Sequence, residues 1–175
     1  IIPVLLKAHA GMSRLSDPWV DVKKKELQNL ILSCAGIWVD ALSTEYSVVP
    51  GSELKLSTLV INRSDYPFVL ERIIVPYSTS DSLWNARLLN NNLLRSSFSI
   101  QIPKDMAYTQ PYWLKSKSET GSYSVADQQL IAQPENVPVL NVSVVLSSPD
   151  GRLEVSVPVR YRSVDPVEGE MYRPL

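Results

Sequence analysis

The chain has 175 residues, 45% of them hydrophobic and 20% charged, which is the composition of an ordinary globular protein and excludes a disordered one. Its 17 basic and 18 acidic side chains nearly cancel, and the longest basic run is Lys23-Lys24-Lys25. The sequence therefore lacks the electrostatic footprint of a nucleic-acid-binding protein. No apolar stretch approaches the roughly 20 residues needed to span a bilayer, so no membrane span is expected.

Residues 1–43 are predicted to be helical and to connect to a preceding domain. A short helix over residues 3–13 should begin at Pro3. A longer helix should follow Asp17, which can cap free N–H groups, and Pro18, which suits the first helical position because no N–H is needed there. Residues at steps of three and four define its expected buried stripe: Leu27, Leu30, Ile31, Cys34, Ile37, Trp38 and Ala41.

Residues 44–165 are predicted to form an antiparallel, immunoglobulin-like β-sandwich, because the apolar period changes to two after Thr44. The clearest pair of runs, residues 140–147 and 153–161, should form a hairpin around Pro149, Asp150 and Gly151. Pro158 cannot donate a ladder hydrogen bond, which suggests an edge or a bulge there. Noisier alternating runs occupy residues 45–49, 53–62, 67–75, 85–89 and 96–102.

Residues 166–175 are predicted to be a linker to a following domain. Asp165, Glu168 and Glu170 cluster at its start and could offer oxygen ligands to a hard cation. They lack the spacing of a calcium-binding loop, so a solvated linker is the favoured interpretation.

Catalytic chemistry is limited by the scarcity of histidine and cysteine. His9 is the only histidine and Cys34 the only cysteine. A multi-histidine or multi-cysteine metal site is therefore excluded, and so is an internal disulfide. We expect His9 to be a structural or surface side chain and Cys34 to be a small buried hydrophobe on the helix stripe. No catalytic residue and no metal ligand is assigned.

The most distinctive segment is the stretch AYTQPYWLK, residues 107–115, which contains Tyr108, Tyr112 and Trp113. Such rings can stack on sugars, because they offer a flat apolar face with a polar handle. A long loop that crosses a sandwich also needs buried anchors to offset its ordering entropy, and this second reading is favoured. The three residues are kept as candidates for carbohydrate binding.

Several segments together resemble the region that follows the catalytic domain in large LmbE-like (PIG-L) N-acetylglucosaminyl deacetylases of Bacteroidetes-type bacteria. These segments are KKKELQNLILSCAGIWVDA (23–41), YSVVPGSELKLSTLVINRS (46–64), YTQPYWLK (108–115) and PVRYRSVDPVEGEMYRPL (158–175). In that family the catalytic domain carries a His-Pro-Asp-Asp-Glu stretch and a later histidine pair that bind zinc. His9 is followed here by Ala10 and Gly11, so none of those roles transfers to this chain.

The resemblance implies a non-catalytic accessory β-sandwich that packs on or positions a zinc-dependent carbohydrate deacetylase domain. Its expected partners are neighbouring domains of the same parent chain, and zinc is expected only in the catalytic domain. The alternative is a carbohydrate-binding module that uses the aromatic loop. A third hypothesis, an independent hydrolase with a carboxylate mechanism, predicts turnover by the isolated chain.

Overall fold

Among the residues that the structure describes, two α-helices at the N-terminus are followed by eight β-strands, so the protein is mainly β. The structure is a computed structural model that describes residues 1–78 and 82–175. The helices are α1 (Ile2–Met12) and α2 (Pro18–Ala35). The strands are β1 (Ile37–Ser43), β2 (Glu53–Asn62), β3 (Val69–Ile74), β4 (Ser82–Arg87), β5 (Leu94–Gln101), β6 (Asn141–Ser148), β7 (Gly151–Asp165) and β8 (Gly169–Pro174).

The start of α2 confirms the prediction made from Asp17 and Pro18. Asp17 is the N-cap, its carboxylate accepts a hydrogen bond from the backbone N–H of Trp19 at 2.9 Å, and Pro18 is the first helical residue. This satisfies one of the N–H groups that the first turn of a helix leaves without a backbone partner.

The end of α2 corrects the prediction that residues 1–43 are helical. Gly36 adopts a left-handed conformation (φ 62°) and its N–H donates to the carbonyls of Leu32 and Ser33, which terminates the helix. Ile37 then begins β1 directly. The pattern misled because a step of four, as from Ile37 to Ala41, is also an even step and fits a strand. Both residues are buried on the same face of β1.

The strands form one curled, mixed sheet in the order β4-β3-β6-β7-β1-β2-β5, with β8 paired to β7. Neighbours are antiparallel except β1 and β7, which run parallel over the pairs Ala41 with Val159 through Ser43 with Tyr161. The predicted hairpin is confirmed: β6 and β7 pair from Asn141 with Pro158 to Ser148 with Gly151.

Strand β7 belongs to both halves of the sheet. Its first part pairs with β6, and its last part lies between β1 and β8. Pro158, which has no N–H to donate, stands at the point where β7 exchanges partners, and the next residue, Val159, donates to the carbonyl of Leu140 at 2.9 Å. The predicted edge or bulge at Pro158 is therefore a crossing point between the two halves.

Strands of both halves enclose a single hydrophobic core. The alternation that predicted the buried face of β6 is confirmed, since Leu140, Val142, Val144 and Leu146 are all buried. Helix α1 lies against the hairpin turn: an added Cβ at Gly151 would contact Leu6 at 3.4 Å, and Lys7 forms an ion pair with Asp150 at 3.4 Å. The helices therefore pack on the outer side of the β6–β7 hairpin.

Two further local predictions were wrong. Residues 45–49 form a loop instead of a strand, because the Ser43 hydroxyl bonds both to the N–H and to the carbonyl of Glu45 and turns the chain there. Residues 166–175 contain strand β8, which pairs with β7 from Asp165 with Gly169 to Arg160 with Pro174. Exposed charge in that segment suggested a linker, but an edge strand can also expose charged side chains.

Candidate functional site

The aromatic segment lies in the long connection between β5 and β6. Tyr112 and Trp113 belong to a single 3-10 turn, Tyr112–Leu114, and their rings meet edge to face with centroids 4.8 Å apart. The backbone N–H of Tyr112 donates to the side-chain oxygen of Asn136 at 3.1 Å, and its hydroxyl donates to the carbonyl of Gln133 at 3.3 Å. Tyr112 therefore fastens this loop to residues 133–136.

Tyr108 is the exposed member of the predicted trio, with 78% of its surface accessible. It lines two adjoining clefts, and Tyr112 lines the second of them, whereas Trp113 lines neither. The structure thus brings two of the three predicted residues to one site and gives Trp113 a bracing contact with Tyr112.

The first cleft has a volume of about 610 Å³, within the range of small-molecule sites. Its walls are the loop around Tyr46, the segment from Met106 to Thr109, residues 135–140 and the end of β8. Glu135 and Arg173 place charges of opposite sign in the lining. The sequence analysis did not predict that Tyr46 and Arg173 belong to this site. It assigned Tyr46 to a strand and Arg173 to a linker.

Tyr46 is held in place on two sides. Its ring packs edge-on against Tyr161 with centroids 6.2 Å apart, and the guanidinium carbon of Arg173 lies 5.9 Å from its centroid. The second distance is within reach of a cation–π attraction. Tyr46 remains 60% exposed, so a ring face is available to a ligand although the side chain is braced.

The second cleft measures about 490 Å³ and shares Val139 and the segment from Met106 to Thr109 with the first. Tyr77 and Tyr112 contribute its aromatic rings, and Lys115 and Asn136 contribute polar groups. The backbone of Tyr77 has φ 58°, a left-handed conformation that is uncommon for a bulky residue.

A polar cleft of about 490 Å³ lies between the helices and β7, beside His9. His9 is buried, and its Nε2 has no hydrogen-bond partner among the described residues. Burial lowers the pKa of His9 below its usual value, and the charge of Lys24 lowers it further. Arg152 and Glu154 complete the lining, so charges of both signs face the imidazole. Burial and Lys24 therefore both disfavour the charged form of His9.

Helix α2 exposes an apolar face that the predicted stripe did not anticipate. Ile31 and Ala35 are buried, but Leu30 is 49% exposed and Cys34 is exposed. The prediction that Cys34 is a buried hydrophobe was wrong, because the inward direction of the helix passes through Ile31 and Ala35 instead. Trp19 and Val22 are exposed on the same side as Leu30 and Cys34, and these four residues are here called the outer face of α2 (Trp19, Val22, Leu30 and Cys34). The exposed ion pair of Lys23 and Glu26 lies on this side as well.

The acidic cluster at residues 165–170 forms the turn between β7 and β8. The carboxylate of Asp165 accepts hydrogen bonds from the N–H groups of Glu168 at 2.9 Å and Val167 at 2.7 Å, and these bonds lower the pKa of Asp165. Glu170 pairs with Arg162 at 3.3 Å. Across residues 1–78 and 82–175, no group of three or more His, Cys, Asp and Glu side chains is arranged to hold a metal ion.

No helix in the described part of the chain combines the length and the apolar character that crossing a membrane requires. No family model matches the sequence. A search of curated proteins likewise found no significant match.

Two solved structures show weak similarity to this chain. One is the sporulation control protein Spo0M from Bacillus subtilis, with 13% identity over 70% of this chain and 49% of that one, at a TM-score of 0.32. The other is a β-glucosidase, EmGH1, from Erythrobacter marinus, with 12% identity over 70% of this chain and 15% of that one, at a TM-score of 0.26. The matched region thus spans about half of the first protein and a small part of the second.

Proposed function

We propose that this chain is a non-catalytic accessory module of a carbohydrate-active protein, and that it packs on the catalytic domain through the outer face of α2. The exposed apolar stripe on that helix is the observation that carries the proposal. The resemblance of the sequence to the region after the catalytic domain of LmbE-like deacetylases supports the choice of partner, a zinc-dependent carbohydrate deacetylase domain of the same parent chain.

The outer face of α2 has the character of an interface. Its residues lie within about a third of the helix circumference, because steps of three, four and eight residues return to the same side of a 3.6-residue helix. Trp19 is 71% exposed, and Trp is one of the residue types enriched among the residues that dominate binding energy at interfaces. The opposite side of α2 already packs on the core through Ile31 and Ala35, so this second stripe suits a second partner.

We also propose that the curled sheet forms an immunoglobulin-like sandwich, as the sequence predicted. The support for this is that the two halves of the curled sheet share one buried cluster, with Leu56 and Phe98 from one half and Leu70 and Leu146 from the other. A sandwich would give the accessory module two opposed sheets with the helices outside them.

Thiol labelling of Cys34 tests whether another domain packs on the outer face of α2. In the full-length gene product we expect a thiol reagent to modify Cys34 at least tenfold more slowly than in the isolated chain, because the partner domain would cover it. Replacing Trp19 and Leu30 by serine should restore fast labelling. Val167→Ser is the matched control, since Val167 is 93% exposed in the distant β7–β8 turn. Equal rates in both proteins would contradict the proposal, as would turnover of acetylated sugars or aryl glycosides by the isolated chain.

A second candidate function is carbohydrate binding at the clefts beside Tyr108. The specific observation is the position of Tyr108, an exposed ring between two clefts that Tyr46 and Tyr112 also line. We expect chitin fragments to change the intrinsic fluorescence of the chain on titration. Tyr108→Ala should weaken binding about tenfold, which corresponds to roughly 1.4 kcal/mol. Tyr123→Ala is the control, because Tyr123 is also exposed (62%) but lines neither cleft. Absence of any response at millimolar sugar would remove this candidate.

A further inference from the structure

We infer that the two clefts beside Tyr108 form one continuous track for a linear oligosaccharide, which places sugar rings on both sides of that tyrosine. The inference rests on the second candidate function and extends it from a single sugar to a chain of sugars. Its first support is shared walls: the segment from Met106 to Thr109 and the side chain of Val139 border both clefts. Tyr108 therefore belongs to the boundary that the two clefts share.

Aromatic rings are present along the whole track. Tyr46 lines only the first cleft, Tyr77 and Tyr112 line only the second, and Tyr108 lines both. Tyr46 and Tyr77 are 60% and 49% exposed, so each can offer part of its ring to a ligand. Successive rings of this kind suit a ligand with repeated flat units, because each unit gains a similar apolar contact.

The rings are also braced before any ligand arrives. Tyr161 and Arg173 contact Tyr46, and Asn136 and Gln133 hold Tyr112 by hydrogen bonds. Prior bracing lowers the entropy that binding would otherwise cost.

The polar groups favour a sugar over an extended peptide. Peptides bind by adding a strand at a sheet edge, by laying a helix in an apolar groove or by docking a proline-rich segment in an aromatic-lined groove, and the third mode is the competitor that the test includes. Thr109 borders both clefts, Glu135 and Arg173 line the first, and Lys115 lines the second. The amide of Asn136 also lines the second cleft, but it is already bonded to the N–H of Tyr112 and to the carbonyl of Gln110. Hydroxyl groups on every unit of a sugar chain can bond to donors and acceptors spread in this way.

Calorimetric titration with chito-oligosaccharides of one to six units tests the track. We expect the hexasaccharide to bind at least tenfold more tightly than the disaccharide, because only the longer chain reaches both clefts. Tyr46→Ala and Tyr77→Ala should each lower hexasaccharide affinity about tenfold, although the two residues line different clefts. Tyr123→Ala should leave it unchanged, and a thermal melt of each variant checks that it is folded.

The outcomes separate the track from the simpler binding function. If the disaccharide and the hexasaccharide bind equally, or if only one of Tyr46→Ala and Tyr77→Ala weakens the hexasaccharide, a single cleft binds sugar and the track is wrong. If no oligosaccharide binds, carbohydrate binding itself is also wrong. Binding of a proline-rich decapeptide in place of the sugars would overturn the assigned ligand class.

Discussion

Arg160 on β7 donates a hydrogen bond from Nη2 to Oδ1 of Asp40 on the neighbouring strand β1, over 2.9 Å. Asp40 is only 3% exposed, and the same carboxylate oxygen also accepts from the N–H of Ala41 at 3.0 Å. The guanidinium carbon of Arg160 lies 4.5 Å from the ring centroid of Tyr172 on β8. One side chain thus links three strands at the only place where two of the described strands pair in parallel.

Removal of this buried carboxylate should destabilise the protein. We expect Asp40→Ala to lower the free energy of unfolding by about 2 kcal/mol, less than for a fully buried pair because Arg160 is partly exposed. The Nε of Arg160 already has no partner among the described residues, so the variant leaves the guanidinium still less satisfied. Urea unfolding measures the change. Glu26→Gln, which breaks the exposed pair with Lys23, should change stability by less than about 0.5 kcal/mol. Equal effects of the two variants would contradict this account.

Gly36 is required for the passage from α2 to β1. Its φ of 62° is costly for other residues, and an added Cβ would lie 2.9 Å from the Cβ of Arg63. We therefore expect Gly36→Ala to destabilise the protein by about 2 kcal/mol in thermal or urea unfolding. Gly11 offers the matched control: nothing lies within 4 Å of its added Cβ, and it is inside α1. Gly11→Ala should stabilise the protein by about 0.5 kcal/mol. If Gly11→Ala also lowered stability, the effect of Gly36→Ala could not be assigned to the left-handed backbone of Gly36.

Stability should fall on acidification because of His9. Its pKa is lowered in the folded protein, so the unfolded chain takes up a proton at a higher pH than the native one. Stability is therefore fully present above the unfolded value of about 6.5 and is lost as pH falls through that value toward the lower folded one. Urea midpoints at pH 7.5 and 5.5 measure the effect. In His9→Gln the difference between the two midpoints should shrink, and an unchanged difference would assign the dependence to other groups.

The amide of Asn62 organises the β2–β3 connection. It is fully buried, its Nδ2 donates to the carbonyls of Tyr66 at 3.0 Å and Leu88 at 3.3 Å, and its Oδ1 accepts from the N–H of Ser64 at 3.1 Å. We expect Asn62→Ala to lower the free energy of unfolding by about 3 kcal/mol, since buried polar groups lose their partners.

Asn62→Asp should be at least as damaging, because it places a carboxylate oxygen against two carbonyls. Asn92→Ala, at an exposed position, is the control for both variants and should unfold at the wild-type urea midpoint. If Asn62→Asp were as stable as the wild type, the amide donors would not have the role described.

Local rules in the sequence were enough to predict the features that depend on neighbouring residues. Asp17 and Pro18 predicted the start of α2, and the alternation around Pro149 and Asp150 predicted the β6–β7 hairpin, because capping and tight turns involve few residues. The same reasoning extended the helix through Ile37 and Ala41, since a four-residue step fits both kinds of structure. The same reasoning also predicted that Cys34 is buried, whereas it is exposed. When a helix has apolar residues on two sides, its sequence does not show which side faces the core.

The sequence by itself determined a mainly β chain with two leading helices, the position of its clearest hairpin and the aromatic character of the segment at residues 107–115. The tertiary structure decided that β1 pairs in parallel with β7, and that Tyr46 and Arg173 join Tyr108 around one cleft. These relationships join segments far apart in the chain. They are fixed by how the strands pack around a shared core. The periodicity of apolar residues within one segment does not show which distant segment it will pair with.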